Sequence, residues 1–310
     1  MHGRRFRTLE YQAYLKLESK VQVEKVSLKG GGVLILTGPS SCGKGEVAAA
    51  LRRVMSIPKE AHLSMGEILR STFQRAKEDQ SYSLVLQEKY QISQSTNIFE
   101  CLDTTPDLTR KVLSHHEALA KYYKRENVHQ FLSQVEWLEF CTIQGLLVPN
   151  RWTQSFLESY IETSTYLRNQ PFILDGYPRT VVAAEHLISI LKKFRLPIIK
   201  ILHLSISKQE MMNRALQRGR EDDAHASLIS RYQFYTENVQ PSVDYLKIQL
   251  GTESVALIDA HQPVYIKDDN GELKLNLQQS IHNVVVSALR SLGVPRVIIR
   301  DLLSSDTFLD

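Results

Sequence analysis

A short, uninterrupted apolar run, Val33-Leu34-Ile35-Leu36, stands between Gly30-Gly31-Gly32 and a second glycine-rich stretch. Such a run between glycines predicts a strand buried on both faces, as in a parallel sheet. Further short strands are predicted at 62–64, 172–174, 198–205 and 254–258, with helical spacing of apolar positions at 45–54, 66–75, 181–191 and 208–216. Strands alternating with helices predict an α/β fold, a doubly wound five-strand parallel sheet flanked by helices. Two stretches break the rhythm. Residues 76–135 hold no strong strand pattern; Leu113, Ala120 and Tyr123, then Phe131, Val135 and Leu138, recur at helical spacing with nearly balanced charge, which predicts a helical insertion. Near the end, Asp268-Asp269-Asn270-Gly271 lies between Val264-Tyr265-Ile266 and Leu273-Lys274-Leu275, a β-hairpin signal, before a closing helix around 281–292.

Composition is that of a globular protein with ample core: 310 residues, 43% hydrophobic and 23% charged. The net charge of +4 resides wholly in the first thirty residues, where Arg4, Arg5, Arg7, Lys16, Lys20, Lys25 and Lys29 face only Glu10, Glu18 and Glu24. This head lacks the continuous apolar core of a secretory signal and is read as a solvated N-terminal helix. The neutral remainder argues against a nucleic-acid partner, because phosphate-backbone affinity needs clustered Lys and Arg. No apolar run is long enough to cross a bilayer, so no membrane partner is expected. Cys42, Cys101 and Cys141 are too scattered for a disulfide framework or a zinc site, which suits a reducing, cytoplasmic setting. His115, His116 and His129 lack a Cys or carboxylate cluster and are read as packing or surface residues.

The candidate chemistry begins directly after the first buried strand. Gly38-Pro39-Ser40-Ser41-Cys42-Gly43-Lys44-Gly45 is G-x-x-x-x-G-K between a strand and a helix, the context of a phosphate-binding loop. Small residues let successive backbone N–H groups curl round an anion. The helix N-terminus adds positive potential, and the lysine reaches the outer phosphates. Where such loops commonly carry a magnesium-ligating Ser or Thr, this chain has Gly45, followed by Glu46.

A GKG loop resembles that of adenylate kinases and related nucleoside monophosphate kinases. Four further segments follow in the family's order: Leu63-Ser64-Met65-Gly66-Glu67-Ile68-Leu69-Arg70 (L-S-T-G-D-x-L-R), Gly145-Leu146-Leu147-Val148-Pro149 (G-x-L-V-P), Asp175-Gly176-Tyr177-Pro178-Arg179 (D-G-[FY]-P-R), and Arg218-Gly219-Arg220-Glu221-Asp222-Asp223 with Arg231, Tyr235, Pro241 and Tyr245. The resemblance covers residues from about 32 to 261, apart from the insertion. It implies a charged extension at 1–31, a kinase core at 32–262 containing the insertion 76–135 and a short lid at 218–223, and a hairpin with a C-terminal helical extension at 263–310.

The same resemblance implies residue roles. Ser41, Cys42, Gly43, Lys44, Gly45 and Glu46, with Arg214 and Arg218, would bind ATP. Met65, Arg70, Leu146, Leu147, Val148, Gly176, Tyr177, Arg179 and Ala183, with Arg220 and Arg231, would line the acceptor. Arg179, Arg218, Arg220 and Arg231 would act with Lys44 on the phosphoryl group; guanidinium forks match phosphate oxygens. Asp175 would hold Mg2+ through water, and Asp222 and Asp223 belong to the lid. That lid is too short for the four-cysteine zinc of some relatives, so no structural zinc is expected. Phosphate chemistry looks intact, whereas base recognition looks altered: the family's threonine is Met65, its adenine-reading glutamine is Ala183, and His261 and Gln262 only loosely match its donor-base segment. An amide offers a hydrogen-bond donor and acceptor that a methyl group does not, so acceptor selectivity is expected to be relaxed.

The activity implied is Mg-ATP-dependent phosphoryl transfer to a nucleoside monophosphate, with AMP as first choice. The alternatives are a kinase for a pyrimidine or other monophosphate, and a nucleotide-sensing or scaffold protein with weakened catalysis. A monomer is expected, with a protein partner for residues 76–135 left open.

Overall fold

The computed structural model describes residues 10–15, 21–27, 30–100, 106–128, 130–143, 150–218, 225–267 and 271–304. The strands are β1 (Glu10–Leu15), β2 (Val21–Ser27), β3 (Gly32–Thr37), β4 (His62–Ser64), β5 (Pro171–Asp175), β6 (Ile198–Ser205), β7 (Val255–Asp259), β8 (Tyr265–Lys267) and β9 (Leu273–Leu275). The helices are α1 (Lys44–Val54), α2 (Met65–Glu78), α3 (Gln80–Tyr90), α4 (Pro106–Ser114), α5 (His116–Tyr123), α6 (Gln134–Ile143), α7 (Asn150–Thr163), α8 (Val181–Lys193), α9 (Lys208–Arg218), α10 (His225–Phe234), α11 (Gln240–Leu250), α12 (Leu277–Ser291) and α13 (Arg296–Ser304). The chain divides into two compact units, 1–65 with 164–310, and 66–163.

The first unit is built on a parallel sheet of order β4-β5-β3-β6-β7. Val33, Leu34, Ile35 and Leu36 on its central strand are essentially inaccessible, as an apolar run without alternation predicts for a strand covered on both faces. The chain leaves β3 toward β4 and leaves β6 toward β7, in opposite directions. The carboxyl ends of β3 and β6 therefore form a topological switch point, where open α/β sheets take their ligands.

The solvated N-terminal helix is overturned. Strands β1 and β2 form an antiparallel pair, with Glu10 opposite Ser27 and Leu15 opposite Val21. The sequence carries the reason: Val21-Gln22-Val23-Glu24 alternates with a period of two, and β-branched valines favour extended backbone. The Asn-Gly hairpin is present, with Tyr265 opposite Leu275 and Lys267 opposite Leu273; Asp268, Asp269 and Asn270 lie outside the described residues.

The second unit is helical, with an isolated bridge between Asn97 and Ser133 its sole β-pairing among the described residues. The described residues of the 76–135 stretch share its core. Tyr82, Leu86, Ile92, Leu132 and Val135 pack in one buried cluster with Phe73, Trp137, Phe140, Trp152 and Phe156 from the flanking helices. Phe73 and Phe156 meet edge to face at 5.5 Å. Buried amides satisfy the loops: Gln134 Oε1 accepts from Ser93 N at 3.0 Å, and Asn97 Nδ2 donates to Gln130 O at 2.9 Å. Two of the predicted helical apolar positions differ. Leu113 and Phe131 are exposed, and Val112 and Leu119 supply the buried contacts instead.

Candidate active site

The phosphate-binding loop follows β3 at the switch point. Gly38 has φ of +145°, and a Cβ there would stand 2.4 Å from the Leu204 carbonyl oxygen of β6, so only glycine lets the loop turn this close to its neighbouring strand. Gly43, at φ +88°, redirects the chain into α1, whose first residue is Lys44. The Lys44 ammonium donates to Pro39 O at 2.7 Å and Gly38 O at 3.1 Å, with Cys42 Sγ at 3.6 Å. Its donors are thus folded onto the loop's own backbone, within reach of any anion that the loop encloses.

Cys42 is buried, and burial pushes its thiol above the usual range, with the charge of Lys44 opposing. The Ser41 hydroxyl is buried with no hydrogen-bond partner, an orphaned polar group inside the loop. Gly45 and Glu46 are exposed, and a Cβ on Gly45 would meet nothing within 4 Å.

Asp175 closes β5, opposite Leu36 in register, and Gly176 N continues the pairing by donating to Leu36 O at 2.9 Å. The carboxylate is therefore placed beside the carboxyl end of β3, where the loop begins. His62 Nε2 stands 3.6 Å from Asp175 Oδ2. After Gly176, at φ +76°, Arg179 turns back so that its Nε donates to Gly176 O at 2.8 Å, leaving an exposed guanidinium. Tyr177 is buried, and burial pushes its phenol upward. Thr180 caps α8 by accepting from Ala183 N at 3.2 Å, and Ala183 is itself buried. The position matched to the base-reading glutamine is thus a packed methyl group.

On the other side of the switch point, α9 follows β6. Met211 is buried and its sulfur accepts from Ser40 Oγ of the phosphate loop at 3.6 Å. One turn on, Arg214 Nε donates to Glu210 Oε1 at 2.6 Å, and Nη2 donates to Ala260 O at 3.1 Å. His261 Nδ1 lies 3.1 Å from the same Glu210 oxygen. Partial burial raises the Glu210 carboxyl, but the hydrogen bond and charge of Arg214, together with His261, outweigh it and lower the carboxyl below its usual range.

Beneath the loop, His203 of β6 is opposite Thr37 and bonds Tyr235 Oη through Nε2 at 2.9 Å. Burial, with Lys247 and Lys44, lowers this imidazole to about 4, while burial raises Tyr235 to about 12. Tyr235 begins a wide π-turn, Tyr235–Val239, between α10 and α11. Pro241 explains the widening: it has no N–H to donate to the carbonyl four residues back.

Of the other sequence-predicted residues, Arg231 is on α10 and half-buried, and Met65 is buried at the start of α2. Arg70 is exposed on α2 within the 66–163 unit, its Nη1 3.2 Å from where a Cβ on Gly66 would stand. Leu146, Leu147, Val148, Arg220, Asp222 and Asp223, and the Arg218 side chain, lie outside the described residues. The sequence reading missed Glu210, His62 and His203. Glu210 and Arg214 carry a readable signal, opposite charges at i,i+4, and His203 another, a polar residue inside Ile201-Leu202-His203-Leu204.

A family model described as adenylate kinase matches residues 124–250. The chain is 26% identical over 212 residues to the adenylate kinase of Corynebacterium urealyticum, covering 68% of this chain and 84% of that one. It is 32% identical to the adenylate kinases of Mycobacterium sp. strain MCS, over 116 residues, and Mycolicibacterium vanbaalenii, over 108 residues. These two matches span 63% and 59% of the relatives' lengths and 37% and 35% of this chain. Over these segments the chain is similar to adenylate kinases.

Proposed function

We propose that this protein transfers the terminal phosphoryl group of ATP to a nucleoside monophosphate, with AMP as the first acceptor to be tried. The observation that carries the reading is the pairing of β3 and β5, which sets the glycine-built loop with Lys44 beside Asp175 at one end of the sheet. Phosphoryl transfer asks little covalent chemistry of a protein. It asks for in-line positioning and for fixed positive charge where negative charge develops. The loop amides and Lys44 would hold the donor phosphates. The Arg179 guanidinium, steadied by the Gly176 carbonyl, is suited to an acceptor phosphate through its remaining forked donors.

Magnesium fits this site in one particular way. Among the described residues no three His, Cys, Asp or Glu side chains converge on a point, so no all-protein cage exists. Asp175, partly exposed, and the unpartnered Ser41 hydroxyl are hard oxygen donors suited to a hydrated ion held mainly by nucleotide phosphates. When bound, the ion would neutralise phosphate charge.

A second acceptor class is favoured by Ala183. A buried methyl group cannot distinguish adenine from pyrimidines as a glutamine amide would. The test is incubation with Mg-ATP and, separately, AMP, CMP, UMP and GMP, scored by formation of the corresponding diphosphate. Diphosphate from at least one acceptor is expected, with less than the several-kcal/mol selectivity of an amide-reading site. No diphosphate from any acceptor rejects the kinase reading, and a steep preference for AMP rejects the relaxed-selectivity part.

A further inference from the structure

We infer that Glu210 is a positioning residue for the nucleotide site, acting by holding Arg214 beside the segment after β7, on the helix that Met211 ties to the phosphate loop. The inference rests on the phosphate-loop reading above and goes beyond it in assigning a role to a carboxylate that binds no phosphate itself.

Helix α9 is tied to the loop at Met211, whose sulfur receives the Ser40 hydroxyl. Arg214 lies three residues further along, on the same helical face, so its Cβ stands about 5–6 Å from that of Met211. A cation so placed beside a polyphosphate cradle would contribute only if its long side chain were held. An arginine with several free torsions pays up to about 2 kcal/mol to order itself on binding. Here that ordering has already occurred. Glu210 accepts from Nε at 2.6 Å, and Nη2 donates to the Ala260 carbonyl just past β7 at 3.1 Å. Nη1 has no partner among the described residues, which leaves its two N–H donors for a ligand.

The clamp reaches beyond Arg214. The same Glu210 oxygen lies 3.1 Å from His261 Nδ1. His261 N donates to Asp259 Oδ1 at 2.8 Å, and Gln262 Nε2 donates to Asp259 O at 2.8 Å and Ser287 Oγ at 3.1 Å. The segment after β7 is thus fastened to α9, to β7 and to α12, and Glu210 and Arg214 are the side chains through which α9 joins it. A surface carboxylate–arginine pair at i,i+4 adds only a few tenths of a kcal/mol to a helix. This pair has a third partner in His261, and Arg214 has a backbone acceptor of its own in the Ala260 carbonyl, a geometry suited to orienting the guanidinium.

The experiment is calorimetric titration of the full chain with Mg2+ and the non-hydrolysable ATP analogue AMP-PNP, for wild type, Glu210→Ala, Glu210→Gln, Arg214→Ala and the double Glu210→Ala/Arg214→Ala. Glu210→Ala is expected to weaken AMP-PNP about tenfold, the range of a lost charge-assisted hydrogen bond. Glu210→Gln keeps an acceptor oxygen for Nε and is expected to recover most of that loss, and melting temperatures are expected to stay within about 2 °C of wild type. In the Arg214→Ala background, Glu210→Ala is expected to have no further effect, because a residue acting only through another has nothing left to act on. Unchanged affinity in Glu210→Ala, or fully additive losses in the double variant, overturns the inference while leaving the phosphate-loop reading intact. A wild-type chain that does not bind AMP-PNP overturns that reading, and the inference with it.

Discussion

Lys44 shows how much one side chain carries. It sits at the first position of α1 with its ammonium on the loop carbonyls of Gly38 and Pro39, so it is ordered before any ligand arrives. Lys44→Ala is expected to lower turnover roughly a hundredfold to a thousandfold, the scale seen when one preorganised electrostatic group is removed, as measured by steady-state diphosphate formation. Ala183 carries an opposite lesson. The sequence suggests a lost base-reading amide, and the structure shows a buried methyl on a residue whose backbone N–H donates to the Thr180 cap. Ala183→Gln must therefore find room in a packed helix. It is expected to lower stability by about 1–3 kcal/mol in urea unfolding. The loop and the D-G-Y-P-R segment were legible in the sequence because contiguous residues of restricted type make them. Glu210, His62 and His203 were not, because each takes its meaning from a partner brought close by the sheet or a helix turn.

At the scale of elements, β6 and the π-turn between α10 and α11 are joined by His203 and Tyr235. The imidazole is lowered to about 4 by burial and by Lys247 and Lys44, with Asp244 opposing, so the native state takes up its proton less readily than the unfolded chain. A depressed histidine supports folding fully above its unfolded value of about 6.5, and that support is lost as pH falls from there toward 4. The loss is expected to be on the order of 3 kcal/mol, seen as a fall in urea midpoint between pH 7.5 and 4.5 that His203→Gln flattens. Tyr235→Phe leaves Nε2 of the buried ring unpaired and is expected to cost about 1–3 kcal/mol at neutral pH. An unchanged midpoint would show that the bond is dispensable. Strand and helix order could be read from the alternation of short apolar runs. The β1–β2 pair could not be, because its charges drew a helical reading over a period-two pattern.

Across the whole molecule, the chain's two tryptophans, Trp137 and Trp152, both lie in the 66–163 core. Intrinsic tryptophan fluorescence therefore reports on that unit alone. Leu86 is buried in the same cluster, and Leu86→Ala is expected to shift the fluorescence-detected urea transition by about 2–5 kcal/mol. Affinity for AMP-PNP, governed by the unit that holds the phosphate loop, is expected to be unchanged. A matching loss of affinity would contradict the division into units. The central claim is phosphoryl transfer between nucleotides at the loop that Lys44 closes. Its most direct measurement follows the γ-phosphorus of radiolabelled Mg-ATP with AMP as acceptor, in wild type and Lys44→Ala. Label in the β-position of newly formed ADP, largely lost in the variant, is the result expected. Label appearing only as inorganic phosphate, or passing to ADP equally in both proteins, would contradict the account.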